Sequence, residues 1–334
     1  MSGDTLILAS TASDAATKFV NMIATVAGFL AILLLIFFAA GRATGRASRP
    51  LTVLVFLGPA LLLLLVGLVV PAIRTIYLSF RNDDSTRVVG SKNYTWAFTT
   101  DGIHTVLINT LEWIVVVPLL TTGLGLLVAL LVDRMKRQAV YKSLIFAPMA
   151  ISFVGASIIW RFVYETRDPA NPQIGLLSQT VMALGWKHPP NWILSHPLNN
   201  FLLMVIMIWV QTGFAMVVLS AAIKAIPDEI LEAARMDGAK GGKLFFFVTI
   251  PMIRNTLIVV LTTIMITTLK VFDIVRTMTG GNFNTSVLAN EMYFQSFVSG
   301  DAGRGAALAV ILFVAVLPLV GYNVVQLRRE RATR

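Results

Sequence analysis

The sequence predicts an all-α, polytopic membrane protein with about seven transmembrane helices. Of its 334 residues, 56% are hydrophobic and only 13% are charged, and the mean hydropathy is +0.78. Soluble domains carry roughly a quarter charged residues, so this chain belongs in a lipid bilayer. Its apolar runs are too long, and alternate too little, for the strands of a membrane β-barrel. An α-helical bundle follows, because only helices and closed barrels satisfy every backbone polar group in lipid.

Seven apolar runs reach the roughly 20 residues that a helix needs to cross about 30 Å of hydrocarbon. In order they cover approximately Phe19–Ala40, Leu51–Val70, Leu107–Val132, Ser143–Val163, Phe201–Ile223, Ile253–Val275 and Ala306–Leu327. The alternative for the first run is a cleavable signal peptide. Its leader has one base, Lys18, whereas three arginines follow the run, and this asymmetry favours a retained anchor.

Lysine and arginine in the short loops indicate the orientation of the spans. Sixteen of the 27 basic residues fall in alternate connections, which are the Arg42–Arg49 linker, the Arg134–Lys142 loop, the Lys224–Arg254 segment and the Arg328–Arg334 tail. We therefore expect these segments on the cytoplasmic side. An odd number of spans then places the N-terminus outside and the C-terminus inside.

Composition also excludes several classes of function. The net charge of +10 arises from a shortage of acids in a chain with few charges, so no nucleic-acid partner is expected. The chain has no cysteine, which excludes disulfides, thiolate metal sites and cysteine nucleophiles. His104, His188 and His196 lack metal-ligand spacing, and no paired carboxylates or Ser/His/Asp order is present. We predict neither a metal site nor an enzyme.

The loop between the fifth and sixth runs, residues 225–251, carries the signals of a surface helix. Pro227 suits the first helical turn, and Asp228 and Glu229 complement the positive end of the helix dipole. The helix should end near Gly238.

A second short amphipathic piece should follow after a turn at Gly241. This piece, Lys243–Ile250, reaches Pro251 at the membrane. We expect two small helices lying flat on the membrane surface as a docking site, with Phe245 to Phe247 anchoring them to the bundle. A solvated loop that merely connects two spans is the alternative.

Residues of this loop resemble a known family motif. Glu232-Ala233-Ala234, then Gly238, then Val248, Ile250 and Pro251 match the pattern EAA, three residues, G, nine residues, I-x-L-P, with Val and Ile as conservative departures. With this motif, the loop resembles the cytoplasmic loop of permease subunits of binding-protein-dependent ABC importers. Further matching stretches are Pro59–Phe80, Phe146–Ser152, Trp209–Met216, Phe272–Asp273 and Thr279–Gly281. They most resemble the larger permease of α-glucoside and maltose importers, and the first run is not covered.

This resemblance implies a domain division and a set of partners. Residues 1–50 would form an N-terminal tail, an extra span and a basic linker, and residues 51–334 the six-helix permease domain. The implied partners are a second homologous permease, two ATPase subunits, an extracytoplasmic sugar-binding protein, the sugar and the lipid of a bacterial inner membrane. The residues implied to couple to the ATPase are Glu232, Ala233, Ala234, Asp237, Gly238 and Pro251.

The resemblance also implies that ATP and magnesium bind to the ATPase subunits, so this chain needs no cofactor. Its nearest candidate for a phosphate-binding loop, 238–243, has Asp237 where that motif requires glycine and Leu244 where it requires serine or threonine.

Polar side chains in the fifth and sixth runs are candidates for a sugar path, because such residues usually face the bundle interior or water. Thr263, Thr267 and Lys270 share one helical face, with Thr262 and Asp273 on an adjoining stripe. In the fifth run, Gln211 and Phe214 offer a hydrogen-bonding group and an apolar surface. The resemblance implies sugar contacts from these two spans, and the substrate-binding candidates are Gln211, Phe214, Thr263, Thr267, Lys270 and Asp273.

Other interpretations of the intramembrane polar residues stay open. Threonines in a span often bond to their own helix, and Lys270 has a side chain long enough to reach the interface or to pair with Asp273. Glu112 fits an interface or packing residue. The interfacial aromatic belt accounts for Trp113, Trp160 and Trp192.

Two functions of other classes compete with the importer. A secondary, ion-coupled transporter is expected to show inverted repeats and broken spans around a midplane carboxylate, and a structural membrane anchor has no need of a polar stripe. Within the importer class, a polyol or glycerol phosphate is an alternative substrate to an oligosaccharide.

Overall fold

The computed structural model describes residues 17–32, 34, 38, 48–168 and 171–332, and the all-α prediction is confirmed for these residues. The helices in chain order are α1 (Thr17–Ile32), α2 (Ser48–Leu64), α3 (Val70–Leu78), α4 (Lys92–Thr99), α5 (Asp101–Val132), α6 (Gln138–Phe146), α7 (Phe153–Val163), α8 (Leu176–Ala183), α9 (Leu198–Lys224), α10 (Asp228–Met236), α11 (Gly242–Leu244), α12 (Ile250–Leu269), α13 (Asp273–Met278), α14 (Leu288–Tyr293) and α15 (Ala302–Ala332). Contacts divide the chain into two units with a boundary between Arg74 and Thr75.

The first unit contains α1, α2 and the beginning of α3. The predicted first span, Phe19–Ala40, coincides with α1 as far as Ile32, and most of its remaining residues lie outside the described ones. A π-helical turn, Leu65–Val69, joins α2 to α3, so Phe56–Leu78 is a continuous apolar helix of 23 residues. The predicted Leu51–Val70 lies within the uninterrupted helical run from Ser48 to Leu78, which is long enough to cross a membrane and ends eight residues later than predicted.

In the second unit, four helices are long and apolar enough to span the membrane. These are Asp101–Val132, Leu198–Lys224, Gly242–Leu269 and Ala302–Asn323. They correspond to the predicted third, fifth, sixth and seventh spans. With Phe56–Leu78 they make five spans in the described part of the chain, or six if the bent pair α6 and α7 is one more.

The predicted fourth span, Ser143–Val163, is not one straight helix. After α6 the chain passes through a 3₁₀ turn, Ala147–Ala150, and α7 then continues at 102° to α6. Pro148 has no N–H to continue the helical ladder, and Ser152 caps α7 by accepting a hydrogen bond from the N–H of Gly155 at 3.1 Å. Hydropathy alone does not reveal this bend, because both limbs are apolar.

The beginning of the sixth span corrects a second prediction. A π-helical turn, Phe245–Thr249, joins α11 to α12, so the predicted surface helix Lys243–Ile250 is instead the first part of the span. Pro251 directly follows this π-helical turn, at the beginning of α12, and the span continues through it.

The same span ends earlier than predicted. Its last helical residue is Leu269, and Lys270 caps it. The backbone then leaves the helical conformation at Phe272 (φ −134°, ψ −53°) before α13 begins at Asp273. Val271, Ile274 and Val275 lie beyond Leu269 and are apolar because they pack in the core, not because they continue the span.

Parallel packing of α5 and α9 forms the centre of the second unit. Between the first half of α5 and the first turn of α9, Trp113 Nε1 donates to Asn200 Oδ1 at 2.8 Å. Farther along, a Cβ on Gly125 would clash with Ala215, so the two helices approach more closely than a larger residue allows. The core around this pair includes Val117, Leu203, Met207, Ile264 and Ile274.

Candidate functional site

The helix α10 forms the part of the predicted docking loop that stands clear of the bundle. It begins after Pro227 with Asp228 and Glu229 in its first turn, as predicted. None of its residues is buried, and Met236 at its end is 89% exposed. Because only Leu231 and Ala234 are partly covered by the chain itself, most of the surface of α10 is accessible to a partner.

Gly238 ends this helix in the left-handed conformation, with φ +84°. The N–H of Gly238 donates to the carbonyl of Arg235 at 3.0 Å, and the N–H of Ala239 donates to that of Ala234 at 2.9 Å. A residue with a Cβ is strained at this φ, which explains the glycine in the motif.

The structure brings most of the coupling candidates together. Glu232, Ala233, Ala234, Asp237 and Gly238 lie on α10 or at its end, and all but the half-buried Ala234 are exposed. Pro251 lies apart from them, at the beginning of α12.

The three phenylalanines after the loop do not serve as the predicted anchor. Phe246 and Phe247 are 65% and 78% exposed, and only Phe245 is half-buried. They belong to the helix that continues into α12, and exposed apolar rings on a span face lipid or a partner subunit.

Two candidates from the fifth span lie on α9 inside the second unit. Gln211 is 8% exposed, and its side-chain amide makes no hydrogen bond to another described residue. Phe214 is half-buried and packs against the core. The amide atoms of Gln211 are not among the fully buried groups without a partner, so this position leaves them accessible to water or a polar ligand.

Thr263 and Thr267 of α12 bond to carbonyls of their own helix, which is the alternative to a role in sugar binding. Thr263 Oγ1 donates to the carbonyl of Val259 at 2.7 Å, and Thr267 Oγ1 to that of Thr263 at 3.0 Å. Thr262 is buried and donates to Asn323 Oδ1 on α15 at 2.6 Å. Thr263 is exposed and Thr267 half-buried, so in this chain they do not share the interior position of Gln211.

Lys270 and Asp273 are separated by the break between α12 and α13. Both are exposed, and the ion pairs of the described residues do not include one between them. The alternative in which Asp273 neutralises Lys270 on one helix is therefore wrong.

A buried asparagine network that the sequence analysis did not identify lies where α5 and α9 begin. Asn109 Nδ2 donates to the carbonyls of Asn284 at 2.7 Å and Ser286 at 2.9 Å. Asn199 Nδ2 donates to the carbonyl of Phe283 at 2.9 Å. These bonds hold a loop in which Phe283 and Asn284 have left-handed φ values of 58° and 59°.

A second branch of this network joins α5 directly to α9. Asn200 Nδ2 donates to Glu112 Oε2 at 2.9 Å, so Glu112 has the packing role that was expected. The sequence does hold a signal for this network, which is the presence of asparagines in or beside apolar runs. Polar residues in a span usually have a partner within the bundle.

The aromatic-belt interpretation is wrong for two tryptophans. Trp113 is fully buried and bonded to Asn200, and Trp192 is 6% exposed with its Nε1 donating to Ser178 Oγ at 2.9 Å. Trp160 is half-buried and packs edge-on against Trp209 with ring centroids 5.8 Å apart. All three rings have partners within the protein.

Comparisons with known proteins agree with this architecture. The chain is 48% identical over 282 residues to the osmoprotective compounds uptake permease protein GgtC of Synechocystis sp., covering 84% of this chain and 100% of the relative. It is 46% identical over 302 residues to the alpha-glucoside transport system permease protein AglF of Rhizobium meliloti, covering 88% and 90%.

A solved structure shares the fold. It is a bacterial alginate ABC transporter in complex with an alginate pentasaccharide-bound periplasmic protein, with a TM-score of 0.71, 19% identity and coverage of 83% of this chain and 94% of the matched one. Residues 121–333 match the family described as binding-protein-dependent transport system inner membrane component. The family expected from the Glu232 motif is confirmed, and the chain belongs to the inner membrane components of binding-protein-dependent transport systems.

Proposed function

We propose that this chain is the permease subunit of an ATP-driven importer that takes up sugars of the α-glucoside type. The observation that carries the proposal is α10, an unburied helix that bears Glu232 and is closed by left-handed Gly238. It lies within the stretch that matches the family. An amphipathic helix that protrudes from a membrane bundle without a partner in its own chain is suited to dock in a cleft of another subunit.

In this proposal α10 contacts one of two ATPase subunits, which bind and hydrolyse ATP while this chain has no catalytic role. The α10 end of the bundle faces the cytoplasm, in agreement with the basic loops, and the opposite end receives sugar from a binding protein. Closure of the ATPases moves α10, rocks the two permeases against each other and switches access from outside to inside.

A second, homologous permease completes the path. Thr263 and Lys270 are exposed polar residues on an apolar helix, and exposure of such groups to lipid is costly. A facing subunit that covers them would turn their surface into one wall of a polar path. Gln211 and Phe214 supply a hydrogen-bonding group and an apolar ring on the neighbouring helix.

The substrate class is supported by the relative with 46% identity, whose name specifies alpha-glucoside transport. The relative with 48% identity is named for osmoprotective compounds, so a test of substrates has to extend beyond disaccharides. A polyol or glycerol phosphate is the alternative cargo.

Reconstitution tests the proposal. The chain is co-purified with its second permease and ATPase, placed in proteoliposomes, and given binding protein with maltose, trehalose, a polyol or glycerol phosphate. We expect ATP hydrolysis and uptake to rise together with an α-glucoside. Uptake that follows an ion gradient without ATP hydrolysis would identify a secondary transporter, and hydrolysis stimulated only by a polyol or glycerol phosphate would refute the sugar assignment.

A further inference from the structure

A compact polar cluster lies where α5 and α9 end and α6 begins. Asp133, the cap of α5, accepts from Ser220 Oγ at 2.9 Å and from Lys142 Nζ at 2.6 Å. Lys224 Nζ lies 3.4 Å from the same carboxylate and donates to Gln138 Oε1 at 2.5 Å. These five residues, here called the Asp133 cluster, join the end of α5 and the helix α6 to residues of α9 that lie more than 70 positions farther along the chain.

The centre of the cluster is shielded from solvent, whereas its lysines Lys142 and Lys224 are 21% and 48% exposed. The Asp133 side chain is 13% exposed, and Ser220 is 2% exposed. Partial burial opposes ionisation of Asp133, but hydrogen bonds from Lys142, Ser220 and Lys224 and the charge of Lys142 outweigh it and lower the pKa of Asp133. Partly buried ion pairs contribute little net stability compared with apolar packing, whereas they fix geometry through directional bonds.

The position of the cluster relates it to α10. Lys224 is the last residue of α9, and α10 begins at Asp228. The short connection holds Ile226, which is 7% exposed, and Pro227, whose ring restricts its backbone. A displacement of α10 therefore reaches the end of α9 through a short, anchored segment.

The other end of α6 is also fixed to α9. A Cβ on Gly213 would lie 2.6 Å from the carbonyl oxygen of Ile145 and 2.8 Å from Phe146 Cα, so the last turn of α6 lies directly on the α9 backbone. Gly213 stands between Gln211 and Phe214, the candidate sugar residues. Gly213 and Ser220 are about 10 Å apart along the helix, and α6 is held to α9 at both levels.

We infer that the Asp133 cluster is a rigid joint that holds α6 and the end of α5 to α9, so that these helices move as one body with α10, which follows α9 after three residues, and motion at α10 reaches the level of Gln211 and Phe214. Its members are positioning residues, since none of them touches the candidate path. The inference rests on the proposed function, in which α10 docks on the ATPase. Removing the joint should separate ATP hydrolysis from sugar movement without removing either partner.

The first test measures coupling in the complete reconstituted complex with Asp133→Asn. Loss of a charge-assisted hydrogen-bond centre should lower the sugar transported per ATP hydrolysed by about tenfold, while ATPase co-purification and basal hydrolysis persist. Asp133→Glu should restore part of the ratio. The matched control is Asp301→Asn, which removes an aspartate paired with Arg304 at 3.3 Å just before α15 and should leave the ratio unchanged.

The second test measures the distance between α10 and α6 and does not depend on activity. Since the chain has no cysteine, spin labels can be placed at Met236→Cys on α10 and Val140→Cys on α6, both exposed positions. We expect one narrow distance that is the same with and without ATP, and a broadened one in Asp133→Asn. A wild-type distance that changes on ATP binding would overturn the inference, as would a normal coupling ratio in Asp133→Asn.

The outcome separates this inference from the proposed function. A wild-type complex in which sugar stimulates no ATP hydrolysis counts against the proposed function, whatever the label distances are. A wild-type complex that is coupled, with Asp133→Asn equally coupled, counts against the joint alone.

Discussion

Gly213→Ala tests the close contact between α9 and the bend that follows α6. The new Cβ would meet the carbonyl oxygen of Ile145 at 2.6 Å and Phe146 Cα at 2.8 Å. Both are backbone atoms, so no side-chain rotation relieves the clash, and overpacking of this kind costs about 1–3 kcal/mol. Alanine gains about 0.5–1 kcal/mol over glycine in a helix, which offsets only part of that cost. Taken from the middle of the two ranges, the net expectation is a loss of about 1 kcal/mol of stability.

Thermal unfolding of the purified protein in nanodiscs measures this loss. Gly123→Ala is the matched control, because it is the same substitution in an apolar span with nothing within 4 Å of the new Cβ. The control should unfold at or slightly above the wild-type temperature, whereas Gly213→Ala should unfold below it. If both variants unfold together, α6 does not rest on α9 as closely as the structure indicates, and the rigid-body argument loses one of its two attachments.

Three further expectations concern docking, the path and pH. Glu232→Lys places a positive charge on the exposed face of α10, and a charge reversal in an interface costs several kcal/mol. We therefore expect the ATPase to be lost on co-purification while the chain still inserts into the membrane. Retention of the ATPase together with normal uptake would contradict the docking role. Gln211→Ala removes an amide that has no partner in the described chain. Sugar uptake or preference should change by the equivalent of about 0.5–1.5 kcal/mol, with little change in unfolding temperature. If Gln211 only packs, the unfolding temperature should fall while sugar preference stays the same. The lowered pKa of Asp133 means that its ionised form stabilises the folded state at pH values above its ordinary pKa of 3.8, and that this contribution is lost as the pH falls through the folded-state value. The wild-type unfolding temperature should therefore drop more steeply than that of Asp133→Asn below about pH 4, and parallel profiles would contradict this.

Features set by neighbouring residues were predictable from the sequence. The helix α10 begins with Pro227 and Asp228 and ends at Gly238 because N-terminal acids and a left-handed glycine act within one or two turns. The motif that contains Glu232 was also identifiable from the sequence, because its residues lie close together in the chain. Span existence was likewise predictable, because hydropathy is a property of continuous runs.

Features set by tertiary packing were not predictable in the same way. The bend after α6 leaves the apolar pattern unchanged, and beyond the end of α12 at Leu269 the apolar residues Val271, Ile274 and Val275 extend the hydropathic run past the helix. The Asp133 cluster pairs α5 with residues of α9 that lie 87 positions away. A tryptophan in an apolar run fits an aromatic belt as well as it fits a buried position. Only the tertiary structure, which places Asn200 beside Trp113, distinguishes the two.

Hydrogen bonding along the α5–α9 pair differs between its ends and its middle. Asn200 completes the network at one end, and Ser220 completes the Asp133 cluster at the other. Between them, the hydroxyls of Thr121 and Thr122 are buried without a hydrogen-bond partner in the described chain, at the depth where the amide of Gln211 also has none. Each of the two buried hydroxyls costs about 1–3 kcal/mol unless water or another polar molecule pairs with it. The chain thus uses its polar side chains to fix the two ends of this helix pair, and it retains unsatisfied hydrogen-bonding groups at the depth that a sugar has to cross.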